Sequence, residues 1–358
     1  MPYSGGIFKL KYSRVVKKMK LKLFLLLMTS AFVAGEALAT ANAGLRYINT
    51  RAQVRCGTEQ GTKAFAWKDE DGNWHGIDAD ICRMISTAVF GRNDRFVMVP
   101  LAGNQVSKAL TSNKIDVMLG GLAYSANNEI TTQAAPAAIL YYDNQTFLAQ
   151  GGIKATSMES FKGSRVCVVN DSDDLSKLKT YNNKYQLDFA ILPFANLARA
   201  KEAFFLKRCT LLTGNSLLMK DILVNSPSGT SGVEMLPEIV TTRPVYIYTE
   251  KDNTTLRSVI RWIINAPLLA EDAEITSENI DMAMTTQDPS LSNLLGIDDR
   301  LWKKFGLNPA WVPMTIKESG NFGEMFERNI GSQSKFKLPR GENNLIKNQG
   351  HMIPDPFL

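Results

Sequence analysis

The sequence has few of the residues and motifs on which common enzyme classes depend. Its two histidines are His75 and His351, and neither belongs to an H-x-x-H or H-x-x-x-H pair. The phosphate-binding motifs G-x-x-x-x-G-K-[ST] and G-x-G-x-x-G are missing, as is the G-x-S-x-G motif of serine hydrolases. We therefore expect no catalytic residues, no metal and no cofactor.

The net charge is also close to zero over most of the chain. Of the 41 Lys+Arg and 35 Asp+Glu residues, seven basic residues and one acid lie within positions 1–43, so the remainder carries 34 of each sign. This balance gives no reason to expect a nucleic-acid partner. The length of 358 residues and the 44% hydrophobic content are enough for two or three domain-sized units.

The first 43 residues have the layout of a secretory signal peptide. A basic segment ending in KKMKLK precedes an apolar stretch from Leu23 to Val33, and small residues follow. The 11 residues of this stretch fall well short of the ~20 needed to span a bilayer, which argues against a membrane anchor. We expect export, with the true start at Met1 or Met19 and cleavage after Ala39 or Ala43.

Cysteine is sparse, and the absence of a C-x-x-C pair argues against a zinc site. The four cysteines are Cys56, Cys82, Cys167 and Cys209. In an exported protein, an even number of cysteines indicates disulfide bonds. Three pairings are possible. Pairing in sequence order keeps each bridge within one half of the chain and is our prediction, with buried free thiols as the alternative.

The apolar pattern predicts two α/β units in succession. For the first unit it predicts strands at 53–58, 96–101 and 115–119 and helices at 78–89 and 106–111. The helix at 78–89 has apolar residues at helical spacing, with Asp78 as its N-cap and Gly91 just past its end. For the second unit it predicts strands at 165–169, 189–192 and 210–213 and helices at 172–179 and 196–207. This alternation is typical of parallel sheets with flanking helices.

Two segments connect the units, at 141–150 and 243–250, and the second leads into a long amphipathic helix. We predict a first lobe made of residues 44–144 and 245–358 and a second lobe of residues 145–244. The connecting segments would be hinge strands. A layout of this kind places a ligand in the cleft at the strand ends, where helix N-termini point into the gap.

Five segments carry a resemblance to a known family. They are FAWKDEDGNWHGIDADICR (65–83), IDVMLGGLAYSANNE (115–129), RVCVVND (165–171), VIRW (259–262) and GNFGEMFERNIG (320–331). Together they resemble the solute-binding proteins of polar amino-acid ABC transporters, and in particular the general L-amino-acid binding subgroup, from about Asn49 to the end. The four cysteines also fall where that subgroup has its own.

The resemblance implies a type II periplasmic-binding-protein fold, with two parallel-type sheets and flanking helices joined by two hinge strands. It implies a periplasmic monomer that binds a small polar, amino-acid-like ligand. That ligand would be delivered to an ABC transporter permease in the inner membrane by hinge closure.

The resemblance also implies where a ligand would be held, and here the sequence departs from the family. The usual carboxylate-binding Arg is replaced by Asn128, and the Thr that opens the same stretch is replaced by Ala123. The Gly-Thr at the second-lobe helix start reads Asp171-Ser172, and the ammonium-binding Asp is replaced by Asn215. An Asn can donate a hydrogen bond to a carboxylate but supplies no charge.

Other candidate ligand contacts are Gly121 in the ligand loop, Glu59 and Phe65. Phe65 and Trp67 alternate along a predicted strand, so each could stack on a ligand or belong to the core. Asp173 and Asp174 add acids beside the second-lobe helix, and at least one acid of the 171–174 group is expected to serve only as a helix N-cap.

We predict that common acidic and neutral L-amino acids bind weakly, because Asn128 cannot supply charge. Two alternatives remain open. One is a receptor or interaction protein that keeps the clamp fold without amino-acid binding. The other is a dehydratase-like enzyme, for which Glu59 and the acids at 171–174 are the candidate acid/base groups.

Overall fold

The computed structural model describes residues 44–59, 65–120, 122, 124–151, 157–170, 172–226 and 232–356. The predicted signal peptide, with both cleavage positions, lies outside the described residues. Within the described ranges, no helix combines the length and apolar character that a membrane crossing requires.

Strands and helices alternate along the chain, as the sequence predicted. The strands are β1 (Val54–Glu59), β2 (Trp67–Lys68), β3 (Trp74–His75), β4 (Phe96–Leu101), β5 (Val117–Leu119), β6 (Ala134–Ala149), β7 (Arg165–Val169), β8 (Ala190–Phe194), β9 (Leu211–Asn215), β10 (Glu234–Met235) and β11 (Thr241–Glu250). The helices are α1 (Arg46–Arg51), α2 (Ile77–Phe90), α3 (Val106–Thr111), α4 (Ala126–Thr131), α5 (Asp173–Tyr185), α6 (Leu197–Phe205), α7 (Ser216–Val224), α8 (Thr254–Asp272), α9 (Ile280–Ala283), α10 (Pro289–Leu294), α11 (Arg300–Lys304), α12 (Trp311–Ser319) and α13 (Phe322–Asn329).

Two groups of parallel strands meet through two antiparallel ones. In the first group β1 lies between β4 and β5, and in the second β7 lies between β8 and β9. The long strands β11 and β6 pair with β5 and β9 respectively, and also with each other. The predicted α/β class with two crossing strands is therefore confirmed. Because the crossing strands pair with each other, both groups belong to one continuous sheet.

The first predicted crossing segment is longer than expected. Strand β6 starts at Ala134, whereas the sequence indicated a crossing from 141. Its early part contains Pro136, which lies opposite Tyr248 of β11 and cannot donate a ladder hydrogen bond. The pairing of β6 with β11 is also irregular, with register shifts at Val245/Tyr246 and Ile247/Tyr248.

Helix α2 packs against β1 and β4 through the predicted apolar face, on which Ile81, Met84 and Ile85 are buried. It ends at Gly91, whose φ of 64° is a left-handed conformation that glycine adopts without strain. The prediction of Asp78 as N-cap is wrong, because the N-cap is Gly76, two residues earlier, and the helix begins at Ile77. The Asp78 side chain instead accepts a 2.5 Å hydrogen bond from the Thr58 hydroxyl.

The part of the chain after α8 packs on the first strand group. Helix α12 contacts α2, and the Asn308 N–H donates to the Ala88 carbonyl at 2.8 Å. Trp302 and Trp311 meet edge to face at 5.2 Å between ring centroids, and both are fully buried. This aromatic pair anchors the C-terminal helices to the core.

Both disulfides join cysteines in sequence order, as predicted. Cys56 on β1 bonds to Cys82 on α2, with a Cα–Cα distance of 6.1 Å. Cys167 on β7 bonds to Cys209 just before β9, with a Cα–Cα distance of 5.7 Å. The first bond ties β1 to the helix that packs on it, and the second ties β7 to the segment just before its neighbouring strand β9.

Residues 340–344, which we call the C-terminal strap, hold the free edge of β6. Strand β9 pairs with β6 only from Gln145 onwards. At Tyr142 the Asn343 side chain replaces β9 as the hydrogen-bond partner of the β6 backbone. It accepts from the Tyr142 N–H at 2.6 Å and donates to the Tyr142 carbonyl at 2.9 Å. Arg340 pairs with Glu271 of α8 at 2.7 Å and so fixes the strap to the helix layer.

Candidate functional site

Strands β6 and β11 bring opposite charges together at the junction of the two strand groups. Their register places Asp143 directly opposite Arg243. Because side chains alternate between the two faces of a strand, Tyr141 and Gln145 share the face of Asp143. The exposed fractions of Tyr141, Asp143 and Gln145 are 4%, 4% and 0%. A carboxylate and a guanidinium are thus set into a buried part of the sheet.

Three other elements meet this pair. Glu59 ends β1, Asp78 lies in the first turn of α2, and Asp173 and Asp174 open α5. We call the whole set the junction cluster, and its members are Glu59, Asp78, Asp143, Asp173, Asp174 and Arg243. It contains five carboxyl groups and one guanidinium.

Arg243 is held by the two acids that open α5. Its Nη1 lies 2.8 Å from Asp174 Oδ1 and 3.8 Å from Asp173 Oδ2. Burial lowers the pKa of Arg243, but the charges of Asp174, Asp143 and Asp173 outweigh that effect, so the net pKa is raised. The guanidinium is therefore fixed in its charged form and already neutralised by protein acids.

Asp143 has one satisfied and one unsatisfied oxygen. Its Oδ1 accepts from the N–H groups of Asn144 at 2.8 Å and Ser216 at 3.1 Å, and also from the Ser216 hydroxyl. Its Oδ2 is buried and has no hydrogen-bond donor among the described residues. Burial raises the pKa of Asp143, although the bonds from Ser216 and the charge of Arg243 oppose that rise.

Glu59 and Asp78 have the most strongly perturbed carboxyl groups of the cluster. Burial raises the pKa of Glu59 to about 7; Arg243 opposes the rise, and the charges of Asp174 and Asp143 add to it. Burial also raises the pKa of Asp78 to about 7, against the hydrogen bond from Thr58. Both groups therefore change charge close to neutral pH, which is frequent at functional sites.

The start of α5 is capped by Ser172. Its hydroxyl accepts from the Leu175 N–H at 3.2 Å and donates to the Val169 carbonyl at 2.7 Å. The prediction that an acid of the 171–174 group caps the helix is therefore wrong. Asp173 and Asp174 are helical residues, and their side chains face Arg243. Asp171 lies outside the described residues.

Asn215 caps the next helix. Its Oδ1 accepts from the Leu218 N–H at 3.0 Å. Asn215 is thus the last residue of β9 and the N-cap of α7. The residue after it, Ser216, is the one that binds Asp143. Asn215 is thus next to the junction cluster, with its carbonyl oxygen used for the cap.

Phe65 lies beside the cluster but is only 5% exposed, within the apolar core. Its carbonyl accepts from the Asp78 N–H at 3.2 Å. Trp67 is 37% exposed and stacks on His75 at 4.7 Å between ring centroids.

Asn128 lies on α4, which Ser125 caps by accepting from the Asn128 N–H at 3.2 Å. The neighbouring Tyr124 is 49% exposed and donates to Glu129 at 3.1 Å. Gly121 and Ala123 lie outside the described residues. The family-based ligand contacts at Asn128, Gly121 and Ala123 stay predictions.

Asp78, Asp143 and Arg243 were missed as site residues. Asp143 and Arg243 lie in the segments YYDNQTFLAQ and RPVYIYTE, which were recognised only as connections. A single charge inside an apolar, aromatic strand is a usable signal, because a buried charge requires a partner.

Comparisons with known proteins identify the family and agree with the fold. The family described as bacterial extracellular solute-binding proteins, family 3, matches residues 54–276. The general L-amino acid-binding periplasmic protein AapJ of Rhizobium johnstonii is 28% identical over 340 residues, covering 94% of this chain and 99% of that protein. The glutamate/glutamine/aspartate/asparagine-binding protein BztA of Rhodobacter capsulatus is 28% identical over 335 residues, covering 92% and 99%. The solved structure of a periplasmic binding protein from Brucella ovis, with glutathione bound, superposes with a TM-score of 0.80 at 27% identity, covering 88% and 99%.

Proposed function

Because the chain belongs to the bacterial extracellular solute-binding proteins of family 3, we propose that it binds a small, polar, amino-acid-like solute in the periplasm. It delivers this solute, as a monomer, to the permease of an ABC transporter. The relatives AapJ and BztA are named for amino-acid binding, and the Brucella ovis structure holds glutathione. Free amino acids and small peptides are therefore the first ligands to test.

The junction cluster is the single observation that carries this proposal. It lies where two parallel strand groups meet two crossing strands, and it combines groups from β1, β6, β11, α2 and α5. Ligands of α/β sheets bind at carboxyl ends of parallel strands. Glu59 at the end of β1 and Asp174 at the start of α5 both occupy that type of position.

Binding would work by closing two lobes about the crossing strands. We assign residues 44–144 and 245–358 to one lobe and residues 145–244 to the other, with hinges near 141–148 and 242–249. The register shifts of the β6–β11 pair fall within this region, and an irregular ladder bends more readily than a regular one. The ligand would shift the population toward the closed form, which the permease would then bind.

A thermal-shift screen of the purified protein tests this function. The panel should contain acidic, neutral and basic amino acids, glutathione, other short peptides, polyamines and sugars. A ligand at 100 times its Kd stabilises the folded state by about 2.7 kcal/mol, which is a shift of several degrees for a protein of this size. Calorimetry should then give 1:1 binding. A flat melting temperature across the whole panel would contradict the proposal.

A further inference from the structure

The junction cluster has far more negative than positive groups. Its five carboxyl groups come from four elements, β1, α2, β6 and α5, and Arg243 of β11 is its one cation among the described residues. Arg243 is also bound to Asp174 at 2.8 Å. A ligand carboxylate that approached Arg243 would have to displace this acid and would be repelled by the others. The arrangement is therefore unfavourable for an anionic ligand group.

Two buried acceptor atoms on the same face of β6 lack donors. Asp143 Oδ2 and Gln145 Oε1 have no hydrogen-bond partner among the described residues, and their side chains are 4% and 0% exposed. The other oxygen of Asp143 is held by Ser216 and Asn144. A buried acceptor without a donor destabilises the folded state, and the cost is higher for a charged group. Asp143 Oδ2 lies on the face of Arg243, so a donor placed in the cluster would relieve this cost.

Glu59 adds a third acceptor close to Asp143 and Arg243. No donor from the described residues reaches its carboxylate, although it lies close enough to Arg243, Asp174 and Asp143 for their charges to change its pKa. A ligand group that satisfied Glu59 and Asp143 together would need several N–H donors and a positive charge. Ammonium and guanidinium groups have both properties.

We propose, on the basis of the function proposed above, that the junction cluster binds a cationic nitrogen group of the solute, so that the preferred ligand carries net positive charge. Glu59 and Asp143 are the direct partners of this group. Asp174 stays bound to Arg243, and Asp78, held by the Thr58 hydroxyl, adds a further acid on the side of α2. Basic amino acids and short amines share this chemistry, and the test below separates them.

The binding should strengthen as the pH rises. Among the described residues, the titratable groups that face Glu59 are Arg243 on β11, Asp174 on α5, Asp143 and Tyr141 on β6, and Asp78 on α2. With the pKa of Glu59 at about 7 in the empty site, its ionised fraction rises about 30-fold between pH 5.5 and 8. The affinity for a cation should rise by about the same factor, with proton release on binding.

Isothermal titration of the purified protein with matched ligands tests the proposal. L-arginine and L-citrulline differ in charge and little in shape, agmatine lacks the α-carboxylate of arginine, and glutamate and glutathione are anionic. We expect arginine or agmatine to bind at least 10-fold more tightly than citrulline and the anions. Preference for arginine over agmatine would identify an amino acid, and the reverse would identify an amine. Calcium chloride is the control for non-specific cation binding.

The variant Glu59→Gln should weaken cation binding at least 10-fold at pH 8 and remove most of its pH dependence. Glu70→Gln, at an exposed turn residue, is the matched control and should change neither. Citrulline, glutamate or glutathione binding as tightly as arginine and agmatine would overturn the inference and leave the proposed function intact. Binding of calcium as tight as that of the organic cations would also overturn it. No binding by any member of the panel would overturn both.

Discussion

Replacing Glu59 by Gln should stabilise the ligand-free protein, with a gain that depends on pH. Burial raises the pKa of Glu59 from its ordinary 4.5 to about 7. A carboxyl group whose pKa is higher in the folded state binds its proton more tightly there than in the unfolded chain. The folded state therefore loses stability as the pH rises from about 4.5 to about 7, and the penalty stays constant above that range. Gln cannot ionise and avoids the penalty.

The size of the effect follows from the two pKa values. Each pH unit between them corresponds to about 1.4 kcal/mol, so the full penalty is about 3 kcal/mol. Glu59 is partly exposed, and solvent screening reduces the effect, so we expect a gain of about 2 kcal/mol at pH 8. At pH 4 the gain should be close to zero, because Glu59 is then protonated in both states.

Urea denaturation at pH 4, 6, 7 and 8 would measure this difference. The control is Glu70→Gln, which replaces an exposed turn residue and should give no pH-dependent difference from the parent protein. A gain of equal size at pH 4 and pH 8 would mean that the amide, rather than the loss of charge, causes it. A Glu59→Gln protein that is less stable than the parent at pH 8 would refute the reasoning, since Glu59 would then have a stabilising partner.

Three further changes test other features. Asn343→Ala removes both hydrogen bonds to Tyr142 and should lower the unfolding free energy by about 1–3 kcal/mol in urea; a loss below about 0.5 kcal/mol would show that the strap does not hold β6. Replacing Cys167 and Cys209 together by Ser should lower the free energy of unfolding by about 2–4 kcal/mol. A reducing agent should lower the melting temperature of the parent protein more than that of this variant. Equal decreases in both proteins would count against a stabilising Cys167–Cys209 bond. Asn128→Arg should tighten glutamate binding at least 10-fold by calorimetry, because the charge that the family places there is restored; unchanged affinity would place Asn128 outside the ligand site.

Much of the fold could be predicted because it depends on local patterns. The strand Phe96–Leu101 and the helix Val106–Thr111 match their predicted bounds, since short apolar runs and helical spacing are properties of neighbouring residues. The disulfide pairing followed from the order of the cysteines along two similar units. The N-cap of α2 was placed two residues late, at Asp78 instead of Gly76. Asp is a common N-cap, but here Thr58 on β1 holds the side chain of Asp78.

The site was harder to predict because its geometry comes from long-range pairing. Asp143 and Arg243 face each other only because β6 and β11 pair in one particular register. A shift of one residue would put the two side chains on opposite faces, and no local pattern distinguishes these registers. Family resemblance directed attention to Asn128 and Asn215 instead. The resemblance identified Asn128 on α4 as the position where the family has an Arg. It gave no indication of Arg243, which lies on β11.

The C-terminal strap affects the order in which the native contacts of this protein can form during synthesis. The partners of each disulfide are 26 and 42 residues apart, whereas Asn343 and Tyr142 are 201 residues apart. Contacts between distant residues carry a larger loop-closure cost and form later than local ones. A chain cut before residue 340 would keep both cysteine pairs and every acid of the junction cluster, but Tyr142 would lack both strap bonds. Residues 340–344 thus complete the free edge of β6 only after both strand groups and the junction cluster have been synthesised, and removing them would release this edge without deleting any residue of the cluster.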